Sequence, residues 1–234
     1  MIKLSDRLQL IADEIKQGER VCDVGTDHGY LPLYLYENKI ADHVIMTDIS
    51  KGSLEKCKSD CELYFPDTEF DLRLGSGLEV LNNGEVDTVV MAGMGGILIT
   101  ELMGVDYYFA HTFKRYILQP RRHIGRLRYW LLDNDYTVVK EQLVREGKFI
   151  WPVLTVESFG RALSSHMDPD DIEFEYPITL LDFKNDLTFE YLNNALKLEK
   201  EKLESKKSGK NTTFEELRTQ THRVEYIEYL LNRI

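Results

Sequence analysis

Several things are scarce in this chain, and each shortage excludes a class of protein. Only 3 of its 234 residues are cysteine. That odd, small number makes no disulfide framework, so a reducing cytosol is the expected setting. No apolar run reaches the ~18 residues of a membrane-spanning helix, and no signal-peptide pattern opens the chain. Positive charge is short: 29 lysines and arginines stand against 40 aspartates and glutamates, a net charge of −11. Taken whole, that balance argues against a nucleic-acid partner, because phosphate binding is driven by lysine and arginine. A total says nothing, however, about where charge sits. Internal repeats, low-complexity tracts and the Ser/His/Asp order of a nucleophile elbow are all missing. Cys57 and Cys61 stand four apart on an expected helix, but no histidine or carboxylate pattern completes a metal cage. What is present is a 43% apolar share with mixed charge, enough for one sizeable domain with or without a small appendage.

Apolar runs and helical periodicity alternate along the first two thirds of the chain. Strands are expected at residues 20–24, 43–48, 70–74, 86–92 and 115–119, the last stopped by Pro120. Helices are expected at 4–17, 31–37, 50–64, from the glycines after the fourth strand through 103, and at 127–132. Residues 136–144 and 149–158 read as a closing antiparallel hairpin across Glu146-Gly147. Strands alternating with helices imply right-handed crossovers and a parallel sheet, with ligands at the carboxyl ends of the strands. The hairpin ending departs from a plain dinucleotide fold and fits the seven-stranded methyltransferase architecture. After residue 159 the character changes. Two apolar stripes, Phe189-Leu192-Leu196-Leu203 and Leu217-Val224-Ile227-Leu231, flank the turn signal Ser208-Gly209-Lys210-Asn211 and predict an antiparallel, coiled-coil-like helical hairpin.

The loop Gly25-Thr26-Asp27-His28-Gly29 follows the first strand, and Asp48 closes the second, 23 residues after Gly25. An acid there can hold a ribose diol. Dinucleotides and S-adenosylmethionine both use this geometry, and charge separates them. A pyrophosphate needs bare backbone N–H groups, and Asp23 and Asp27 would repel it. The Gly-x-Gly-x-x-Gly fingerprint is absent too. S-adenosylmethionine carries an ammonium and a sulfonium, which the two aspartates suit, and a carboxylate, which loop N–H groups suit. The charges therefore favour S-adenosylmethionine over NAD.

The strings Leu4-Ser5-x-Arg7-Leu8, Asp23-Val24-Gly25-Thr26-Asp27-His28-Gly29-Tyr30-Leu31-Pro32, Asp48-Ile49-Ser50, Gly75-Ser76-Gly77-Leu78, Ala92-Gly93-Met94-Gly95-Gly96 and Leu118-Gln119-Pro120 occur in that order. Together they resemble the bacterial tRNA methyltransferases that make N1-methyladenosine at position 22, the TrmK family. The likeness runs over about residues 4–158, and the helical tail matches that family's C-terminal coiled coil. Ser76 stands where Asp or Asn is expected, and Arg121 where Asn is common. The resemblance implies an α/β fold: a class I methyltransferase, Rossmann-like sheet over residues 1–160 and a helical domain over 170–234. It implies a cytoplasmic enzyme acting on tRNA, with no metal and no membrane, its oligomeric state open and a monomer compatible. Cofactor contacts are expected from Asp23, Gly25, Thr26, Asp27, His28, Gly29, Asp48, Ile49, Ser50, Gly75, Ser76, Gly77, Ala92, Gly93 and Met94. Substrate contacts are expected from Arg7, Tyr30, Met94, Gly95, Gln119, Pro120, Arg121, Arg122 and Arg126. A methyltransferase for another RNA or small molecule, and a non-catalytic tRNA-binding protein of the same fold, are the alternatives.

Adenine N1 has a free lone pair at neutral pH, so its methylation needs alignment more than a strong base. The product base is cationic until N6 loses a proton, which gives an acceptor a use. The Asn-Pro-Pro-Tyr string of exocyclic-amine methyltransferases is absent after the fourth strand, and the glycine-rich Ala92–Gly96 run leaves room for a flipped base. Candidate catalytic groups are Asp27, His28 and Gln119, beside the carbonyls near Gly93. Local charge then revises the opening objection. Residues 107–132 hold Lys114, Arg115, Arg121, Arg122, Arg126 and Arg128 and no acid. That block is expected on the rim that carries the cofactor loops. Lys197, Lys200, Lys202, Lys206, Lys207 and Lys210 form a second cluster at the tip of the helical hairpin. Two basic patches would suit a folded RNA held by backbone and shape.

Overall fold

Val21-Cys22-Asp23-Val24 is buried along its whole length, the mark of a strand covered on both faces. It is an inner strand of the sheet, flanked on both sides. In a computed structural model, residues 1–159, 167–209 and 211–234 are described. The chain runs α1 (Asp6–Asp13), β1 (Val21–Val24), α2 (Tyr30–Glu37), β2 (Val44–Asp48), α3 (Lys51–Tyr64), β3 (Asp71–Leu74), β4 (Thr88–Gly95), α4 (Gly96–Gly104), α5 (Tyr107–Ala110), β5 (Arg115–Arg122), α6 (Ile124–Asp133), β6 (Tyr136–Glu146) and β7 (Phe149–Ser158). Then follow α7 (Ile172–Glu175), a 3₁₀ turn (Ile178–Leu181), α8 (Asp186–Ser208) and α9 (Phe214–Leu231).

The seven strands form one sheet in the order β3-β2-β1-β4-β5-β7-β6. The first five are parallel, and β7 pairs antiparallel with both β5 and β6. One apolar cluster, around Val89, Met91, Ile99 and Leu118, covers one face; another, around Ile11, Leu33, Met46 and Ile117, covers the other. The chain leaves β1 in one direction to β2 and later returns on its other side as β4. The order thus reverses at β1, and a crevice opens outside the carboxyl ends of β1 and β4, where such sheets bind ligands.

Boundaries differ from expectation where tertiary contacts decide them. The first helix covers only Asp6–Asp13, with the Ser5 side chain accepting the Leu8 N–H at its start. β4 does not end at Ala92, nor β5 at Gln119: both continue, pairing Met94 with Pro120 and Gly95 with Arg122. Register shifts on either side of Met94 carry the ladder past the proline, which has no N–H to give. The helix expected from 127 begins already at Ile124, and the short α5 and α7 carry too little periodicity to be read in advance.

The tail is a pair of antiparallel helices, each opened by a capping box, Asn185 with Thr188 and Thr213 with Glu216. Leu192, Leu203, Val224 and Ile227 are buried between and beneath them, whereas Phe189 lies outside the seam at 58% exposed. Leu143 and Ile150 of the β6–β7 hairpin join the same apolar cluster, so the tail is seated on the sheet's last hairpin. One acid interrupts the seam: Glu199, buried, accepts from Gln220, Lys202 and Arg223. Burial disfavours its charge, but these donors outweigh it and hold the carboxyl down at about 2. Lys210 lies outside the described residues. No helix among the described residues is long and apolar enough to cross a membrane.

Candidate functional site

Four loops lie at the carboxyl ends of β1, β2, β3 and β4. The first leaves β1 through Gly25, whose φ is +74°, and enters α2 through Gly29, whose φ is +69°. Both need glycine for conformation and for space. A Cβ on Gly25 would sit 2.6 Å from Met94 Cε, and one on Gly29 would sit 2.6 Å from Cys57 Sγ. Gly25 and Thr26 both donate their N–H to the Thr47 carbonyl, which ties the loop to β2. Asp27 is left-handed as well, at φ +49°, and points to solvent with Lys56 3.9 Å away.

This loop walls a cavity of about 300 Å³, closed on other sides by Arg7, Leu8, Tyr30 and Ala92. Asp23 lines it while only 7% exposed, and among the described residues the one hydrogen bond to its side chain comes from Thr26 Oγ1 at 2.8 Å. Burial pushes the Asp23 carboxyl up to about 6, against the pull of Thr26 and Arg7 and with a further push from Asp48. A buried acid held this high is short of a cation. Asp48 ends β2, its Oδ1 accepting the Ser50 N–H at 2.8 Å, while Ile49 projects 75% exposed. Gly75, after β3, donates its N–H to the Asp48 carbonyl and so brings the third loop beside the second. Ser76 faces elsewhere: it lines a separate cavity of about 360 Å³ with Leu78, Leu102 and Phe109, not the one under Asp23.

The β4 end is built differently. Gly93, at φ +78°, falls in the bulge, so its N–H finds no ladder partner and donates to Gln119 Oε1 at 3.1 Å. The Gln119 side chain is fully buried; its Nε2 donates to the Pro120 carbonyl, and its Oε1 also accepts from Arg7 Nη1 at 3.2 Å. Gln119 is thus a brace under the glycine run rather than a group free to meet a ligand. His28 is held too. Its Nδ1 lies 2.7 Å from Asp60, and its ring stacks on Tyr30 at 5.2 Å. A carboxylate only accepts, so Nδ1 carries the proton there, and in the neutral ring Nε2 is left as an acceptor.

The basic block is not the rim patch that its composition suggests. Lys114 and Arg115 lie at the opposite end of the sheet, paired with Asp87 and Glu19 at 2.8 Å each. Arg128 is buried against Glu141. Arg126 binds Asp170 through two nitrogens, ahead of the tail. Arg121 reaches the rim and meets Glu146 at 2.8 Å. Arg122, exposed beside it, has no ion-pair partner among the described residues. In the tail cluster Lys200, Lys202 and Lys207 are paired with Glu228, Glu199 and Glu204.

Two residues that touch the site were not read from the sequence: Asp60, which fixes His28, and Glu146, which binds Arg7 Nε at 2.7 Å as well as Arg121. No local pattern announces either, because their partners stand 32 and 139 residues away. The arrangement can take a ligand carrying a cation beside Asp23 and hydroxyls beside Asp48, and the glycines at 93, 95 and 96 leave space beside Met94 for a flat second substrate.

A family profile described as "Methyltransferase domain" matches residues 4–154. The tRNA (adenine(22)-N(1))-methyltransferase of Bacillus subtilis is 35% identical over 160 residues, 68% of this chain and 67% of that one. The crystal structure of the B. subtilis M1A22 tRNA methyltransferase TrmK superposes with a TM-score of 0.85 at 28% identity, covering 99% of this chain and 100% of that one. A Streptococcus pneumoniae protein solved in complex with S-adenosyl-L-methionine superposes with a TM-score of 0.82 at 26% identity, covering 98% and 100%.

Proposed function

The chain belongs to the family of bacterial tRNA (adenine(22)-N(1))-methyltransferases, and from that premise we propose that it transfers the methyl group of S-adenosylmethionine to N1 of adenine 22 in tRNA. The observation that carries the reading is Asp23, a buried carboxyl raised to about 6 beside a glycine-bearing loop and short of a cation. An ammonium is what that acid lacks, so the residues present fit the cofactor. Asp23 and the N–H groups of Asp27 and His28 would hold its amino-acid end, Asp48 its ribose, and Ile49 one side of its base. When bound, S-adenosylmethionine supplies an electrophilic methyl group on a sulfonium.

The protein's own part is placement and exclusion of water. Gln119 holds the Gly93 N–H and so fixes the bulge, where the glycines on either side of Met94 leave room for a base. An adenine lying there would present N1 toward the cofactor loop, and alignment of this kind supplies roughly 7–11 kcal/mol. His28, turned by Asp60 so that Nε2 is an acceptor, and the carbonyls near Gly93 are the groups we assign to the N6 proton. Asp27, exposed and already near Lys56, is given the lesser role of balancing charge at the loop mouth. Tyr30 and Met94 pack beside the base, and Arg7, Pro120, Arg121 and Arg122 meet the RNA. We treat residues 1–160 as the methyl-transfer unit and 170–234 as an appendage that extends the RNA-facing surface. A tRNA substrate makes the cytoplasm the working compartment.

The test is methylation of defined tRNA transcripts, with and without adenine at position 22, by the purified protein, followed by nucleoside analysis. N1-methyladenosine only in the transcript with that adenine is the expected result. Methyl transfer that ignores the base at that position, or no transfer to any tRNA, would overturn the proposal.

A further inference from the structure

Two guanidinium groups from distant parts of the chain end on one carboxylate. Arg7, from α1, reaches Glu146 Oε1 with its Nε at 2.7 Å; Arg121, from the end of β5, reaches Glu146 Oε2 with its Nη2 at 2.8 Å. One carboxylate cannot neutralise two arginines, so these three side chains together carry about +1, set against Asp23 and Asp27 in the cavity that Arg7 lines. Both arginines border the proposed pocket. Arg7 lines the cavity under Asp23, and Arg121 Nε lies 3.8 Å from where a Cβ on Gly93 would be.

Each arginine also has a neutral anchor that does not depend on Glu146. Arg7 donates to Gln119 Oε1 at 3.2 Å, and the Arg121 guanidinium lies 5.9 Å from the centre of the Trp151 ring. Glu146 has no comparable hold. It is one-third exposed at the end of β6, next to Gly147 at φ +59° and the exposed Lys148. Arg7, 15% exposed, is the fixed member, while Arg121 at 43% and Glu146 at 33% are the accessible ones, so an incoming anion can take the place of the carboxylate. The spacing of two carboxylate oxygens across two guanidinium forks is also the spacing that phosphate oxygens use.

We propose that Arg7 and Arg121 form a clamp for a backbone phosphate next to the target adenosine, and that Glu146 occupies this clamp until RNA displaces it. The proposal rests on the reading of the chain as a tRNA methyltransferase. It adds the anion site and the internal carboxylate that competes for it. With Glu146 in place, stray anions gain little at the mouth; a tRNA phosphate delivered with a base gains both arginines at once.

The experiment measures tRNA binding by the full chain, without methyl donor, across a salt series. Glu146→Gln is expected to tighten tRNA binding about three- to tenfold at 0.1 M salt, the gain shrinking as salt rises. Arg121→Gln should weaken binding and lower the slope of log K against log salt by about 0.7–0.9, one phosphate contact. In the double variant E146Q/R121Q the gain from Glu146→Gln should fall below about twofold, because the competing partner has gone. S-adenosylhomocysteine affinity, measured by calorimetry, should be the same in E146Q as in the wild type. Binding by E146Q no tighter than wild type would overturn the clamp. So would a gain that persists undiminished in the Arg121→Gln background, which would mark a general effect of removing one negative charge. A wild-type protein that methylates no tRNA would overturn the functional reading instead, since the clamp is scored on binding ratios alone.

Discussion

Replacing Asp23 with asparagine should make the cofactor-free protein more stable and the cofactor weaker. The folded carboxyl titrates at about 6 against an ordinary value of 3.8. A gap of roughly two units corresponds to about 3 kcal/mol against folding at neutral pH. Asparagine has the same shape and still accepts the Thr26 hydroxyl through Oδ1, in a bond weaker than that to a carboxylate by about 1 kcal/mol. The net gain is about 2 kcal/mol, a rise in melting temperature of about 4–8 °C for a chain of this size. The direction with pH follows from the raised value. The folded state holds this proton more tightly than the unfolded one, so the wild-type penalty is full above about pH 6, shrinks as pH falls toward 3.8 and is absent below it. Asp23→Asn should accordingly stabilise at pH 8 and do much less at pH 5, read by differential scanning fluorimetry. Calorimetry at pH 8 should show S-adenosylmethionine binding weakened about 10- to 100-fold, since the ammonium loses its counter-charge. In the wild type, binding should strengthen as pH rises through 6, where Asp23 gives up its proton to meet the cation. A variant less stable than wild type at pH 8, or equally stabilised at pH 5 and pH 8, would refute the reasoning.

Gln119→Ala removes the acceptor for both Gly93 N–H and Arg7; kcat for tRNA methylation should fall about 10- to 100-fold while S-adenosylhomocysteine affinity changes less than threefold. Gly29→Ala forces a Cβ to within 2.6 Å of Cys57 Sγ at a φ of +69°; it should lower stability by about 1–3 kcal/mol in urea titrations and weaken cofactor binding with it. Arg128→Met leaves Glu141 buried without its partner and the Phe174 and Glu175 carbonyls without this donor; it should cost about 3–5 kcal/mol, of which the double variant R128M/E141L should restore only the part due to the unpaired acid. Equilibrium unfolding of the three proteins checks this last pair.

Features set by neighbours in the chain were legible in advance. The parallel strands, the closing hairpin and the helical tail all follow from apolar period and turn residues, and the observed sheet has that design. The Gly25–Gly29 loop and Asp48 were legible for a second reason: loop chemistry is written in consecutive residues, and strand ends place it. Lys114 and Arg115 show the opposite case. They adjoin β5 in sequence like Arg121 and Arg122, but the strand carries one pair to each end of the sheet. Arg128 looked like part of a basic surface because its counter-ion, Glu141, stands 13 residues on in another strand. Ser76 follows the same strand end as Gly75 yet turns to a different cavity.

By itself, the order of apolar, glycine and acidic residues determined the architecture, the end of the sheet at which the candidate site lies, and the cationic character expected of its ligand. Those depend on periodicity, on conformations open chiefly to glycine, and on charge sign, all local properties. Only the tertiary structure decided which arginines are free to meet an anion, because ion pairing depends on distance in space. It was folding that set Glu146 between Arg7 and Arg121, Asp60 against His28, and Gln119 under Gly93. Those four contacts join residues 25 to 139 positions apart, too far along the chain for any local pattern to announce them.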